Sequence, residues 1–317
     1  VRNPTPTPER LYKFRSFSAL SLDSIISDTI YLAKPATFND PLDSQPIVEN
    51  DLPVAALCAL YRMLLRQRMW AEPRAPSSLL HAGALGSMAS VGDFEKEVSR
   101  KVRGLLDYAN YNRDVGETSE HSHIKALEQA IQQELLIRED RGVFSLTFCS
   151  VSILMWSHYG NQHQGVALGY SIPDTFPEDC RFKLVPMDYG GSRLLSTSII
   201  QKMLSGDINA KNKVDQTAYQ AKAEAWKYEN EWRILGPAGE QGSPLELEEI
   251  VFGHRCPDHV RYAICTVLKT RSRKIEFSEI TMPPHGFELI KVPFDPGQLE
   301  TVFPRRGLDR YDDFSGV

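Results

Sequence analysis

The sequence predicts an α+β protein built on a mixed or split β-sheet core with a helical insertion. Three observations predict it. Runs of β-branched and aromatic residues lie on both sides of the chain's middle, short helical patterns stand between them, and residues 51–141 switch to helix-length apolar spacing. At 317 residues, one domain is expected, with 10–50 and 142–295 forming the sheet and 51–141 the insertion.

After a Pro-rich leader, Leu11 to Arg15 alternate as a short strand that sets Leu11, Lys13 and Arg15 on one face. A helix over 18–27, a strand over 29–33 and the turn sequence PATFNDP at 35–41 follow. The inserted block reads as three helices. Its apolar faces carry Leu57, Leu64 and Leu65, then Val98 and Val102, then Leu127, Ile131 and Leu135, and the joints EPRAPSS and NRDVGETSEHS are expected as exposed loops. Strands are predicted over 143–149 and 165–170, joined by one helical turn at 155–160 that Gly160 and Asn161 end. Pro186 demotes the strand at 182–189 to a sheet edge. Helices around Leu195 to Gly206 and over 215–226, a strand over 229–235, a strand over 248–253, a helix over 257–270 and strands over 275–280 and 288–292 complete the reading.

Composition excludes little but directs the search. A net charge of -5 gives no broad electrostatic case for a polyanionic partner. Five dispersed cysteines without CxxC pairing fit reduced thiols, and neither a membrane-length apolar run nor a signal-peptide pattern is visible, so a cytoplasmic protein with no membrane partner is expected. His158 and His163 do not share a helical face and have no nearby Cys or acidic partner, so no metal site is expected. Cys149 ahead of His158 lacks an orienting third group for nucleophilic catalysis.

The polar constellation is WKYENEWR at 226–233, where strand alternation would aim Glu229, Glu231 and Arg233 to one side and Trp232 and Ile234 to the other. A surface ion-pair ladder is the plain alternative. Together, LYKFRS near the start, FNDP, TFCS with MWSHYGNQHQGVALGY in the middle, and WxxExEWR late in the chain resemble a bacterial family of unknown function, DUF2971, over the sheet-forming two-thirds of the chain. That pattern is in turn similar to DarT-type ADP-ribosyltransferases. The resemblance implies their sheet fold and NAD as substrate, with Glu231 in the place of the transferase glutamate and Tyr159 near the nicotinamide.

Within that implied activity, a carboxylate near the ribose stabilises an oxocarbenium-like centre, which suits Glu231, and Glu229 beside it suits a general base. Tyr159 or Trp156 would stack on the nicotinamide, with packing as the default for Trp156; Lys13, Arg15 and Arg233 would surround the phosphates, and Tyr12 and His158 are further candidates for the cofactor site. Asn39 and Asp40 make an Asx turn that could also shape a ligand pocket. The macromolecular acceptor is nucleic acid or protein. A non-catalytic nucleotide- or partner-binding module is the first alternative, and a metal-dependent phosphodiesterase or nuclease using Asp40, Glu229, Glu231 and a histidine is the second.

Overall fold

A computed structural model describes residues 8–71, 91–138, 141–173 and 181–305. In chain order its strands are β1 (Arg10–Arg15), β2 (Thr29–Leu32), β3 (Ile47–Glu49), β4 (Arg141–Thr147), β5 (Val166–Ser171), β6 (Lys183–Pro186) and β7 (Asp188–Tyr189). Then come β8 (Leu194–Ser196), β9 (Ala221–Lys222), β10 (Glu231–Pro237), β11 (Gly239–Gly242), β12 (Glu246–Phe252), β13 (Glu276–Thr281) and β14 (Ile290–Pro293). The helices are α1 (Ala19–Ile26), α2 (Val54–Ala71), α3 (Val91–Tyr111), α4 (Ser119–Arg138), α5 (Ile153–His158), α6 (Thr197–Leu204), α7 (Ile208–Tyr219), α8 (Asp258–Leu268) and α9 (Gly297–Glu300).

The fold is α+β with a mixed sheet, and the chain divides into two compact units. The first comprises Val1–Thr37, Arg141–Tyr189 and Ala223–Val317; the second comprises Phe38–Asp140 and Gly190–Lys222.

The first unit is organised by an eight-stranded sheet of order β14-β13-β12-β5-β1-β4-β10-β6. β12 and β13 run parallel and the other neighbours antiparallel. One face carries the larger core: Leu11, Phe144, Leu146, Leu168, Trp232 and Ile234 from the strands pack with Ile25 of α1 and Val260, Ile264 and Leu268 of α8. The other face carries Tyr12, Phe14, Ala167, Val251 and Ile280, covered by Met155 and Trp156 of α5. Period-two alternation produces this division, its phase shifted once in β12 by an irregularity between Leu247 and Glu249. β1 and β5 are registered over their whole length, whereas β1 and β4 meet at Tyr12↔Thr147 alone. β6 sits at the sheet edge, the position that Pro186 requires.

In the second unit the apolar faces of α2, α3 and α4 form one core with Leu195, Ile200 and Met203 of β8 and α6 and with Val214 of α7. The helical block therefore shares its core with residues that come much later in the chain. The parallel ribbon of β3 and β8 and the hydrogen bonds from Val48 N to Gln132 and from Asn50 N to Glu128 tie it together.

Several elements depart from the sequence reading. The helix expected over 215–226 is α7, which starts earlier because Asp207 caps it by accepting from Asn209 N and Ala210 N. Residues Glu224–Glu229 form a 3-10 turn rather than the end of that helix, and β10 starts at Glu231 rather than 229. β3, β8 and β11 are too short to show a period. The joint at 112–122 is exposed almost throughout, while the leader before residue 8, the EPRAPSS joint and Cys180 lie outside the described residues. Cys58, Cys149, Cys256 and Cys265 are free thiols. Among the described residues no helix is long and apolar enough to cross a membrane.

Candidate functional site

The site grows from one row across the sheet of the first unit. Tyr12, Thr147 and Glu231 are registered on adjacent strands, so all three side chains leave on the α5 face, and Arg233 follows two residues on. Trp232 and Ile234 enter the opposite core, as alternation predicts. Glu231 and Arg233 are buried, at 4% and 1% exposure. The guanidinium grips the carboxylate with both arms, Nε to Oε1 at 2.7 Å and Nη2 to Oε2 at 3.2 Å. A buried ion pair gains little net stability over apolar packing, because both charges must leave water, so its presence asks for another explanation.

Glu229 does not share the strand. It ends the 3-10 turn, and Asn230 in left-handed conformation (φ 45) turns the chain between it and Glu231. Glu229 is buried and accepts a 2.6 Å hydrogen bond from Tyr159 Oη. Tyr159 closes a chain of rings that runs from Trp226 to Tyr228 (6.0 Å), to His158 (6.4 Å) and to Tyr159 (6.3 Å). His158 is exposed and the other three are half-buried.

Trp156 has a different place from the one expected. It is fully buried, its edge meets Phe14 at 4.8 Å, and its Nε1–H donates to Ser150 O, which leaves no ring face for a ligand. Tyr12 is on the expected face, but its hydroxyl donates to Glu249 at 2.9 Å. Lys13 and Arg15 alternate with Tyr12 and Phe14, so they leave on the opposite face from Glu231. Lys13 Nζ donates to Ser145 O and lies over the Phe144 ring, and Arg15 reaches Ser24. Burial, helped by the Arg15 charge, lowers the Lys13 amine to about 8, against the opposing pull of Glu231 and Glu229. Asn39 and Asp40 belong to the second unit, where Asp40 Oδ1 accepts from Leu42 N as an Asx turn.

Glu249 was not legible as a site residue. Its carboxylate is 2% exposed and accepts from Tyr12, from Ser278 (2.8 Å), from Lys291 (2.9 and 3.1 Å) and from Arg10 (3.0 Å). Burial alone would raise its pKa, but the hydrogen bonds from Lys291, Ser278 and Tyr12 outweigh that and hold it below the usual carboxylate range. Gly169 makes the arrangement possible, since a Cβ there would stand 3.0 Å from both Glu249 Cβ and the Tyr12 ring. Among the described residues no group of three or more His, Cys, Asp or Glu side chains is placed to hold a metal ion.

No curated protein and no solved structure matches the chain. A family model described as Protein of unknown function (DUF2971) matches residues 155–234, a narrower stretch than the sequence motifs suggested, leaving LYKFRS and FNDP outside it. The matched stretch opens on α5 and closes one residue past Arg233, so it takes in Tyr159, the aromatic turn, Glu229 and Glu231, and it is over these residues that the chain is similar to DUF2971 proteins.

Proposed function

We propose that this protein cleaves the nicotinamide–ribose bond of NAD and transfers ADP-ribose to a macromolecular acceptor, nucleic acid or protein. The observation that carries the reading is the pair of buried carboxylates, Glu229 and Glu231, set on either side of a left-handed residue, with Glu229 bonded to half-buried Tyr159. In the reaction the glycosidic C–N bond breaks, nicotinamide leaves with the electron pair, and the acceptor's nucleophilic atom bonds to the ribose carbon. Glu231, held by Arg233, faces the developing positive charge, and Glu229 takes the acceptor's proton while Tyr159 orients it.

One observation favours a second reading, a non-catalytic nucleotide-binding module: both Glu231 oxygens already accept from Arg233. The experiment follows free nicotinamide chromatographically after incubation with NAD and nucleic-acid or protein acceptors, alongside thermal shift with NAD. Glu231→Gln is expected to cut release at least about 100-fold, the scale of losing one group that stabilises transition-state charge, while far-UV circular dichroism stays native. A thermal shift without any release assigns the module, and neither signal overturns both readings.

A further inference from the structure

The cations first expected around the phosphates are committed elsewhere: Lys13 and Arg15 lie on the opposite face of the sheet and Arg233 is bound to Glu231. Immediately after Tyr159, a different set of donors converges. Asn161, Gln162 and His163 have positive φ in succession (49, 53 and 68), a backbone course that L-residues rarely adopt. The turn is fixed by His163 N to Trp156 O, Gln164 N to Asn161 O and Gly165 N to Gly160 O. Among the described residues the N–H groups of Asn161 and Gln162 find no protein acceptor.

A second loop is locked against this turn. Arg255 N donates to His163 O at 2.9 Å and Gly253 N to Gly165 O at 3.0 Å, and a Cβ on Gly253 would collide with His163 O at 2.2 Å. This brings His254 and Arg255, both exposed, beside His163. Neither side chain has a hydrogen-bond or ion-pair partner among the described residues. The His163 ring stacks on Trp156, and its Nε2 is 3.3 Å from Ser157 Oγ. Burial and the charges of His254 and Arg255 hold its imidazole below the ordinary range. Three imidazole or guanidinium groups, a hydroxyl and two backbone N–H groups thus belong to two loops locked together, and among the described residues no carboxylate is hydrogen-bonded to them.

We propose that the 160–165 turn, with Ser157, His254 and Arg255, binds a phosphoanhydride, the diphosphate of a nucleotide. The chemistry is that of backbone anion nests reinforced by a guanidinium. The inference rests on the NAD reading for the nucleotide's identity, but its test does not.

The His163 ring signals are followed by NMR as pH is varied, with inorganic pyrophosphate, ADP-ribose or potassium chloride at equal ionic strength. Pyrophosphate and ADP-ribose are expected to raise the His163 titration midpoint saturably, and chloride is not. Arg255→Gln, an exposed substitution that should leave the fold intact, is expected to weaken pyrophosphate affinity at least about tenfold, the loss of one charge-assisted hydrogen bond. Tighter ADP-ribose binding than pyrophosphate binding assigns a nucleotide as the ligand, and the reverse order assigns a free inorganic phosphoanhydride. A shift equal to that from chloride, or an Arg255→Gln affinity equal to wild type, overturns the proposal. Anion binding without nicotinamide release leaves this site standing and removes the transferase reading; nicotinamide release with an NAD KM unaltered by Arg255→Gln does the opposite.

Discussion

Glu249 and Glu231 stand in one cross-strand row, Glu249↔Gly169↔Tyr12↔Thr147↔Glu231, on the same face of the same sheet, yet they are held in different ways. Glu249 is enclosed by donors from three other strands: Arg10 and Tyr12 of β1, Ser278 of β13 and Lys291 of β14. Glu231 is gripped by Arg233 of its own strand, two residues away, and is flanked by a turn bearing half-buried rings. A carboxylate that links many strands is a fastening, because moving it breaks contacts throughout the sheet. The grip of Arg233 fixes the orientation of the Glu231 carboxylate from within one strand.

The largest expected effect tests the fastening. Glu249→Leu leaves Lys291 and Arg10 without their central partner, and should cost about 3–5 kcal/mol of unfolding free energy in denaturant melts, the usual penalty for breaking a buried charge network. A loss below about 1 kcal/mol would erase the contrast with Glu231. The sign of its pH dependence follows from its lowered pKa. Glu249 contributes fully above the unfolded carboxyl value, about 4.3, and that contribution is lost as pH falls through the lower folded value. Acid unfolding of the wild type should therefore converge on that of the variant.

Lys13, beside Tyr12 in β1 but on the opposite face of the sheet, tests the electrostatics behind the row. Its amine falls from 10.5 to about 8 on folding. The charged form is thus penalised in the native state fully below pH 8, the penalty fades as pH rises from about 8 to 10.5, and above that it is gone. Lys13→Met should stabilise the protein at pH 7 by up to about 3 kcal/mol, less whatever the hydrogen bond to Ser145 O contributes. The gain should vanish by pH 10.5 in thermal melts. Equal stability of the two proteins at pH 7 would show that the amine is not buried at that cost.

The fold was readable where periodicity is long. The helices α2, α3 and α4 of the inserted block, β1, β4, β5 and β12 follow from apolar spacing, and alternation correctly set Glu231 and Arg233 against Trp232 and Ile234. What failed was of two kinds. Two- to four-residue strands such as β8 and β11 carry no period, and α7 was misplaced because its start depends on a single capping residue, Asp207. In the candidate site Trp156 follows its packing alternative rather than the stacking one, because the same apolar bulk that attracts a ring also fills a core. Glu249 escaped notice because a lone Glu in a strand declares nothing until Gly169 and four distant donors are brought to it. The signal that was present is the glycine between large residues in VALGY, a mark of close approach.

The smallest effect makes the finest comparison, because Glu249 and Glu229, the carboxylate just before the Asn230 turn, each accept from a tyrosine. Tyr12 is 7% exposed and donates to Glu249 at 2.9 Å, while half-buried Tyr159 donates to Glu229 at 2.6 Å. Tyr12→Phe removes one of several donors from a site that water cannot enter, so a buried acceptor is left short and about 1.5–3 kcal/mol should be lost. For Tyr159→Phe the shorter bond would suggest the greater loss, but water can reach a half-buried ring edge and replace the hydroxyl, so about 1 kcal/mol or less is expected. Side-by-side denaturant melts decide the matter. If Tyr159→Phe costs as much as Tyr12→Phe, the Glu229 end is a fastening like the Glu249 end, and the aromatic turn is there to stabilise the fold rather than to meet a ligand.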